Sequence, residues 1–280
     1  MVLKYILPVI FVFLLYIYGW IYWYFKFYKR KIYARNIISF HKVSKYPEFG
    51  GTTNLLFQFE NYLKFLKENG FKTTTIDDFL KSKEERKILI FFDDAYENVY
   101  RYAFPIMKKY SFTGVLSPVA GYIGKRNVWD AKTGKFKHMD LGMLKEMGDY
   151  GFEIISHSFS HKDLRKLNSE KLDLEIFVSK EILEKSLKRK IEYFLYPYGL
   201  TNERVKRKVK SAGYKGAFTS YADKEKFDPY EIPRNTLYII DGNITLKTLL
   251  FKKPLFLFGH FDMKGRVTNW FGRFSPVIKL

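Results

Sequence analysis

Two short stretches hold groups able to do chemistry at informative spacings. In FFDDAYENVY (91–100) the apolar run Ile88-Leu89-Ile90-Phe91-Phe92 ends on two adjacent acids, Asp93 and Asp94, and in SHSFSH (156–161) His157 and His161 stand four residues apart. Burying an unpaired carboxylate is costly, so two like charges closing a buried strand need a cation, a hydrogen-bond donor or open water. If the chain turns helically after its strand, imidazoles at i and i+4 point to one side, the spacing that two ligands of one metal require. A carboxylate from another strand end then completes a two-His, one-Asp set with a coordination position open for water, as in catalytic zinc sites. One acid of the doublet binds the cation and the other stays free as a base, so the metal makes the doublet tolerable. The chemistry of such a set is metal-assisted hydrolysis, although Fe(II) oxygenases use the same ligand types. Either motif alone equally fits a structural role, with the acids and the histidines capping helices. The chain has no cysteine, so any metal must be held by His, Asp or Glu.

The elements that must position these groups follow from the hydrophobic pattern. Strand-like runs lie at 36–40, 88–92, 113–119, 153–156, 192–196, 216–219, 237–240 and 255–258, with helical patterns at 57–69, 99–110, 140–150, 169–187 and 202–212. A βαβα order implies a parallel sheet with helices outside it, and seven or eight such units favour closure into a barrel. In such barrels the site lies at the C-terminal strand ends. Those ends carry His41, the pair Asp93 and Asp94, His157, the turn YPYG (196–199) and His260.

Composition bounds the rest. The 280 residues suit one large domain with an appendage. Forty-nine Lys and Arg against 29 Asp and Glu leave a net charge of +20. That balance suits anionic lipid, an acidic polymer or nucleic acid, or simply a solvated surface. The basic residues are scattered and accompany no reader motif, which tells against nucleic acid. From Tyr5 to Phe25 the chain is uncharged and rich in aromatic residues toward its end. That length matches the ~20 residues of a membrane-spanning helix, and no small-residue cleavage site follows. The organisation expected is therefore a transmembrane anchor with basic flank over 1–31 and a catalytic domain over 32–280. Lys26, Lys29, Arg30, Lys31 and Arg35 after the span favour a cytoplasmic domain by charge bias.

The motifs, taken in order, resemble the NodB-homology polysaccharide deacetylases of carbohydrate esterase family 4. IISFHKV (37–43) is similar to the opening strand, FFDDAYENVY to the first motif, SHSFSH to the second and FLYPYG (194–199) to the third. The likeness covers nearly the whole chain after the anchor. It implies a distorted (β/α)7 barrel holding a divalent metal, usually Zn2+, with Asp94, His157 and His161 as ligands and Asp93 as general base. It also implies that the Tyr198 backbone amide assists the oxyanion, that His260 protonates the departing amine, and that the domain is extracytoplasmic.

Two departures stand out. Leu195 occupies the place of the arginine that usually opens the third motif and holds the base, as in a poly-N-acetylglucosamine branch of the family, and Arg234 in EIPRNTL is the candidate to orient Asp93 instead. The final motif reads Leu257-Phe258-Gly259-His260, one glycine longer than the usual Leu-x-His. His41 lines the cleft or plugs the barrel end, and His138 reads as a loop histidine. The function expected is removal of N-acetyl groups from amino sugars in a polysaccharide or lipid-linked glycan. The alternatives are a non-catalytic, membrane-anchored carbohydrate-binding relative and, against the βα alternation, an Fe(II) oxygenase.

Overall fold

The computed structural model describes residues 36–46, 52–129, 136–220 and 227–251. The span expected over Tyr5–Phe25, the strand expected at 255–258 and His260 lie outside these residues. Among the described residues no helix is long and apolar enough to cross a membrane.

The strands are β1 (Ile37–Phe40), β2 (Lys42–Ser44), β3 (Thr53–Leu55), β4 (Lys72–Thr73), β5 (Lys87–Asp94), β6 (Val115–Pro118), β7 (Glu153–Ile154), β8 (Tyr193–Leu195), β9 (Gly216–Thr219), β10 (Ile232–Pro233) and β11 (Asn235–Thr236). Every pairing among them is parallel. The order β11-β1-β5-β6-β7 forms one sheet and β10-β9-β8 another. A parallel bridge between Ser156 and Phe194 joins β7 to β8. The ring closes at 232–236, where one extended segment changes partner. Ile232 and Pro233 pair with β9, while Asn235 and Thr236 pair with β1. Arg234 lies between, its N–H donating to the Thr219 carbonyl at 3.1 Å. The strand expected at 237–240 is thus centred a few residues earlier. Leu237 still donates to the Ser39 carbonyl, and the chain then turns, with Asp241 N–H donating to Tyr238.

Alternation along the strands sorts two cores. Ile37, Leu89, Phe91, Val115, Ile155, Tyr193, Leu195, Phe218 and Ile232 pack together inside the ring, and Phe79 and Leu80 of helix α2 (Ile76–Lys81) pack against them. The opposite faces, with Ile38, Phe40, Ile88, Ile90 and Phe92, meet the outer helices. Strand β5 is buried on both sides, which explains its unbroken apolar run. Helices α1 (Leu56–Glu68), α3 (Phe104–Lys109), α4 (Leu141–Tyr150) and α7 (Glu203–Ser211) take the places expected of them. Helices α2 and α8 (Asn243–Phe251) stand outside the helical patterns of the sequence. Their ends follow local chemistry: Asp140 and Asn202 side chains accept from the N–H groups of Met143 and Val205, and Gly151 at φ 117° ends α4. A π-helical segment, Val99–Ala103, precedes α3, where Pro105 has no N–H to offer the turn before it. The 169–187 stretch is α5 (Ser169–Asp173), a π-helical segment Leu174–Val178, and α6 (Ser179–Leu187).

At the N-terminal strand ends, Glu153 of β7 accepts from the Ile76 N–H at the start of α2, 2.5 Å away. Burial, reinforced by Asp77 and Glu192, raises its carboxyl from 4.5 to about 7. A group with a raised folded pKa contributes stability in full below its unfolded pKa and loses it as pH rises through the folded value. Glu153→Gln keeps an oxygen for Ile76 and sheds the charge. We expect it to stabilise the protein by about 1–3 kcal/mol at pH 8 and by almost nothing at pH 4, read by urea unfolding at both pH values.

Candidate active site

The inner side-chain column of β5 runs Leu89, Phe91, Asp93, so the alternation that builds the core delivers Asp93 to the top of the ring interior. There Arg234 meets it as a two-pronged fork, Nη1 to Oδ1 at 2.6 Å and Nη2 to Oδ2 at 3.0 Å. Both side chains are almost fully buried, and the guanidinium also lies over the Phe91 ring, 4.9 Å from its centroid. His41 Nε2, at the end of β1, stands 3.7 Å from Asp93 Oδ2. Burial works against the Asp93 charge, but Arg234, helped by His41, outweighs it and holds the carboxyl below the usual carboxylate range.

Asp94 takes a different direction because the backbone turns over at this point. Asp94 and Ala95 adopt φ of 64° and 49°, a left-handed conformation that costs about 1–2 kcal/mol per residue without glycine. The turn is held from outside. His138 Nδ1 contacts the Asp94 carbonyl at 2.7 Å, and the Met139 N–H donates to the Ala95 carbonyl. A carbonyl only accepts, so His138 carries its proton on Nδ1. Its ring stacks on Tyr96 at 4.8 Å. His138 is thus a buried loop residue that supports the acid pair, a role that nothing in FKHMD announces.

The result is that Asp94 Oδ1 faces His157 Nε2 at 3.6 Å and His161 Nε2 at 3.4 Å. The ligand atoms of the three all lie within 4.8 Å of one another. Four-coordinate zinc with bonds of about 2.1 Å separates its ligands by about 3.4 Å, so this buried triad fits a divalent cation. His157 Nδ1 donates to the Leu195 carbonyl at 2.9 Å, which leaves the Nε2 lone pair toward Asp94. Burial pushes the His157 pKa down to about 4, against the pull of Asp93, and His161 well below its ordinary value, with His157 adding to the effect. Both imidazoles are thus neutral at pH 7, the form that binds metal.

The histidines converge, but not on a helical turn. Residues 157–161 form a non-helical loop with Ser158 at φ 65° and His161 at φ 57°. The spacing of four brings the rings together because the loop doubles back, and they meet edge to face at 4.8 Å. Trp129 stacks flat on His161 at 4.6 Å, and the Tyr198 ring meets it edge-on at 4.6 Å. Tyr198 is itself left-handed, φ 59°, inside the Pro197–Gly199 turn. Trp129 carried no periodic or motif signal in the sequence.

Residues 80–217 match the family model described as polysaccharide deacetylase. Over this stretch the chain is similar to the NodB-homology polysaccharide deacetylases. A poly-β-1,6-N-acetyl-D-glucosamine N-deacetylase of Staphylococcus aureus is 31% identical over 196 residues, covering 63% of this chain and 65% of that protein. A Bacillus subtilis protein is 27% identical over 169 residues, covering 58% of this chain and 57% of its own length. The chain thus spans less than two thirds of the curated relatives it matches. Among solved structures, the Streptococcus pyogenes deacetylase PplD in complex with acetate superposes with a TM-score of 0.67 at 18% identity over 76% of this chain and 97% of that one. IcaB from Ammonifex degensii superposes with a TM-score of 0.61 at 21% identity over 76% and 94% of the two chains. These likenesses establish the NodB-like α/β fold.

Removing the fork tests what holds Asp93. Arg234→Met leaves Asp93 buried beside an apolar side chain, and uncompensated buried charges of this kind cost about 3–5 kcal/mol. Asp93 with a depressed pKa contributes stability above its unfolded pKa and loses it on acidification. The deficit of the variant is therefore expected at pH 7 and expected to shrink at pH 3.5, by urea unfolding at each pH.

Proposed function

We propose that this domain is a metal-dependent N-deacetylase acting on N-acetylated amino sugars of a polymer or a lipid-linked glycan. One observation carries the reading: two adjacent buried carboxylates are separated into different roles, Asp93 held by Arg234 and Asp94 facing two neutral imidazoles. The family match and the S. aureus relative support the substrate class.

Asp94, His157 and His161 would hold the cation, with Zn2+ the best match to a His2Asp donor set. A bound divalent ion supplies Lewis acidity, acidifying water and polarising an amide carbonyl, so a proton acceptor of low basicity suffices. Asp93 is that acceptor. Its two oxygens are aimed by Arg234, which takes the place of the arginine missing at Leu195 and orients the carboxylate at the expense of its basicity. The Tyr198 amide is assigned to the oxyanion. His260 is assigned to the leaving amine, and His41, beside Asp93, is a second group able to shuttle that proton as well as to line the cleft. With Arg234 on Asp93, the missing motif arginine no longer favours a non-catalytic relative. The charge-free segment before Lys26 and the +20 balance support attachment to a membrane, with 1–31 as anchor and 32–280 as the catalytic unit.

Acetate release from N-acetylglucosamine oligomers and from lipid-linked amino sugars, with and without chelator, tests the reading. We expect activity on one of the two that chelator abolishes and Zn2+ restores. Asp93→Asn is expected to lower kcat at least about 1,000-fold with zinc content unchanged, whereas His157→Ala is expected to lose both turnover and zinc. Release that survives complete chelation would refute the mechanism, and no release from either substrate would return the domain to a binding role.

A further inference from the structure

The five residues that carry both histidines are fastened on every side. The His157 N–H donates to the Pro118 carbonyl at 3.1 Å and the His161 N–H to Ser158 Oγ at 3.1 Å. The carbonyls of Ser158 and Phe159 accept from the Ala120 and Gly121 N–H groups at 3.0 and 2.9 Å. A Cβ on Gly121 would stand 2.6 Å from the Phe159 carbonyl oxygen, so only glycine permits this approach. Three further donors at the loop centre turn to one side chain. Glu175 Oε2 accepts from the Phe159 N–H at 3.0 Å and the Ser160 N–H at 2.8 Å, and Glu175 Oε1 accepts from Ser160 Oγ.

Glu175 is 1% exposed and has no ion pair among the described residues. It sits on the inward stripe of the 169–187 stretch, with Leu172, Ile176, Ser179, Leu183 and Leu187, where an apolar residue would pack at lower desolvation cost. It also lies in the π-helical segment Leu174–Val178, a local widening that is frequent at functional sites. Its three donors all belong to the loop between the two imidazoles.

We propose that Glu175 is a positioning residue that sets the 157–161 loop in its cation-binding form before the cation arrives. The proposal rests on the reading of Asp94, His157 and His161 as a cation site. Glu175 touches neither the cation nor the reacting atoms; it acts through the backbone that aims His157 and His161. Partners of this kind contribute about 10- to 100-fold to metal affinity.

The test uses the whole 280-residue chain and zinc itself, titrated in competition with a chromophoric chelator, together with amide exchange of the metal-free protein by mass spectrometry. Glu175→Ala is expected to weaken zinc binding by about 10- to 100-fold and to speed exchange in the 157–161 peptide while β5 and α7 keep their protection. Glu175→Gln retains an oxygen for the two N–H groups and offers its amide N–H to Ser160 Oγ, so most of the affinity should return. Unchanged zinc affinity and unchanged exchange in Glu175→Ala would overturn the proposal, as would a uniform loss of protection over the whole domain. Where Glu175→Ala fails to fold, Ser160→Ala removes one of the three bonds and must still weaken zinc binding; unaltered binding there also overturns it. A parent chain that does not bind zinc defeats the cation reading instead, and exchange in 157–161 alone then decides whether Glu175 holds the loop.

Discussion

Two like charges on consecutive residues at the end of a buried strand are the constraint to which the rest of this domain answers. In a region of low dielectric Asp93 and Asp94 repel each other strongly, and neither can be left without compensation. The molecule separates them by geometry. Strand alternation keeps Asp93 on the inner column, where a guanidinium fork neutralises it. A left-handed backbone at Asp94 and Ala95 turns the second carboxylate away, toward two imidazoles that burial keeps neutral. Identical side chains, one residue apart, thereby acquire different partners.

The fold supplies these partners at its seam. Arg234 occupies the residue at which one extended segment leaves β9 and joins β1, so the strand that closes the ring also delivers the charge that stabilises its interior. This links closure to the site: a change that opens the seam also releases Asp93. At the opposite end of the ring, α2 closes the interior with Phe79 and Leu80, while Glu153 and the Tyr193–Asp77 hydrogen bond tie it to β7 and β8. The apolar layer between these ends keeps water from the underside of the acid pair.

Rigidity of the histidine loop comes from hydrogen bonds to most of its backbone N–H groups and to its inner carbonyls. Its N–H groups end on Pro118, on Ser158 Oγ and on the Glu175 carboxylate, and its inner carbonyls end on the Ala120 and Gly121 amides. The aromatic neighbours Trp129 and Tyr198 then fix the plane of the His161 ring from two directions. A loop satisfied in this way does not need the cation to define its shape, which favours binding by lowering the ordering cost.

Much of this was legible before the structure. Hydrophobic periodicity yielded the parallel βα order, and motif order yielded the identities of Asp93, Asp94, His157 and His161 along with Arg234 as substitute for the absent arginine. Local chemistry was enough there, because an acid doublet after a buried strand admits few partners. What the pattern missed has physical reasons. A strand that changes neighbours after two pairs leaves too short an alternation to place its end, which displaced the segment expected at 237–240. A spacing of four suggests a helical turn, whereas two positive φ values in a loop produce the same imidazole approach. His138 and Trp129 entered the site without a signal because loops follow no period. Glu175 had a faint one, an acid on the buried stripe of an amphipathic helix, meaningful only once its donors were known.

By itself, then, the amino-acid order determined which groups stand at the strand ends, since residue type and strand period are local properties. Only the tertiary structure decided which carboxylate meets the arginine and which meets the histidines, because that choice depends on backbone dihedrals and on contacts between residues more than a hundred positions apart in the chain, as Asp93 and Arg234 are.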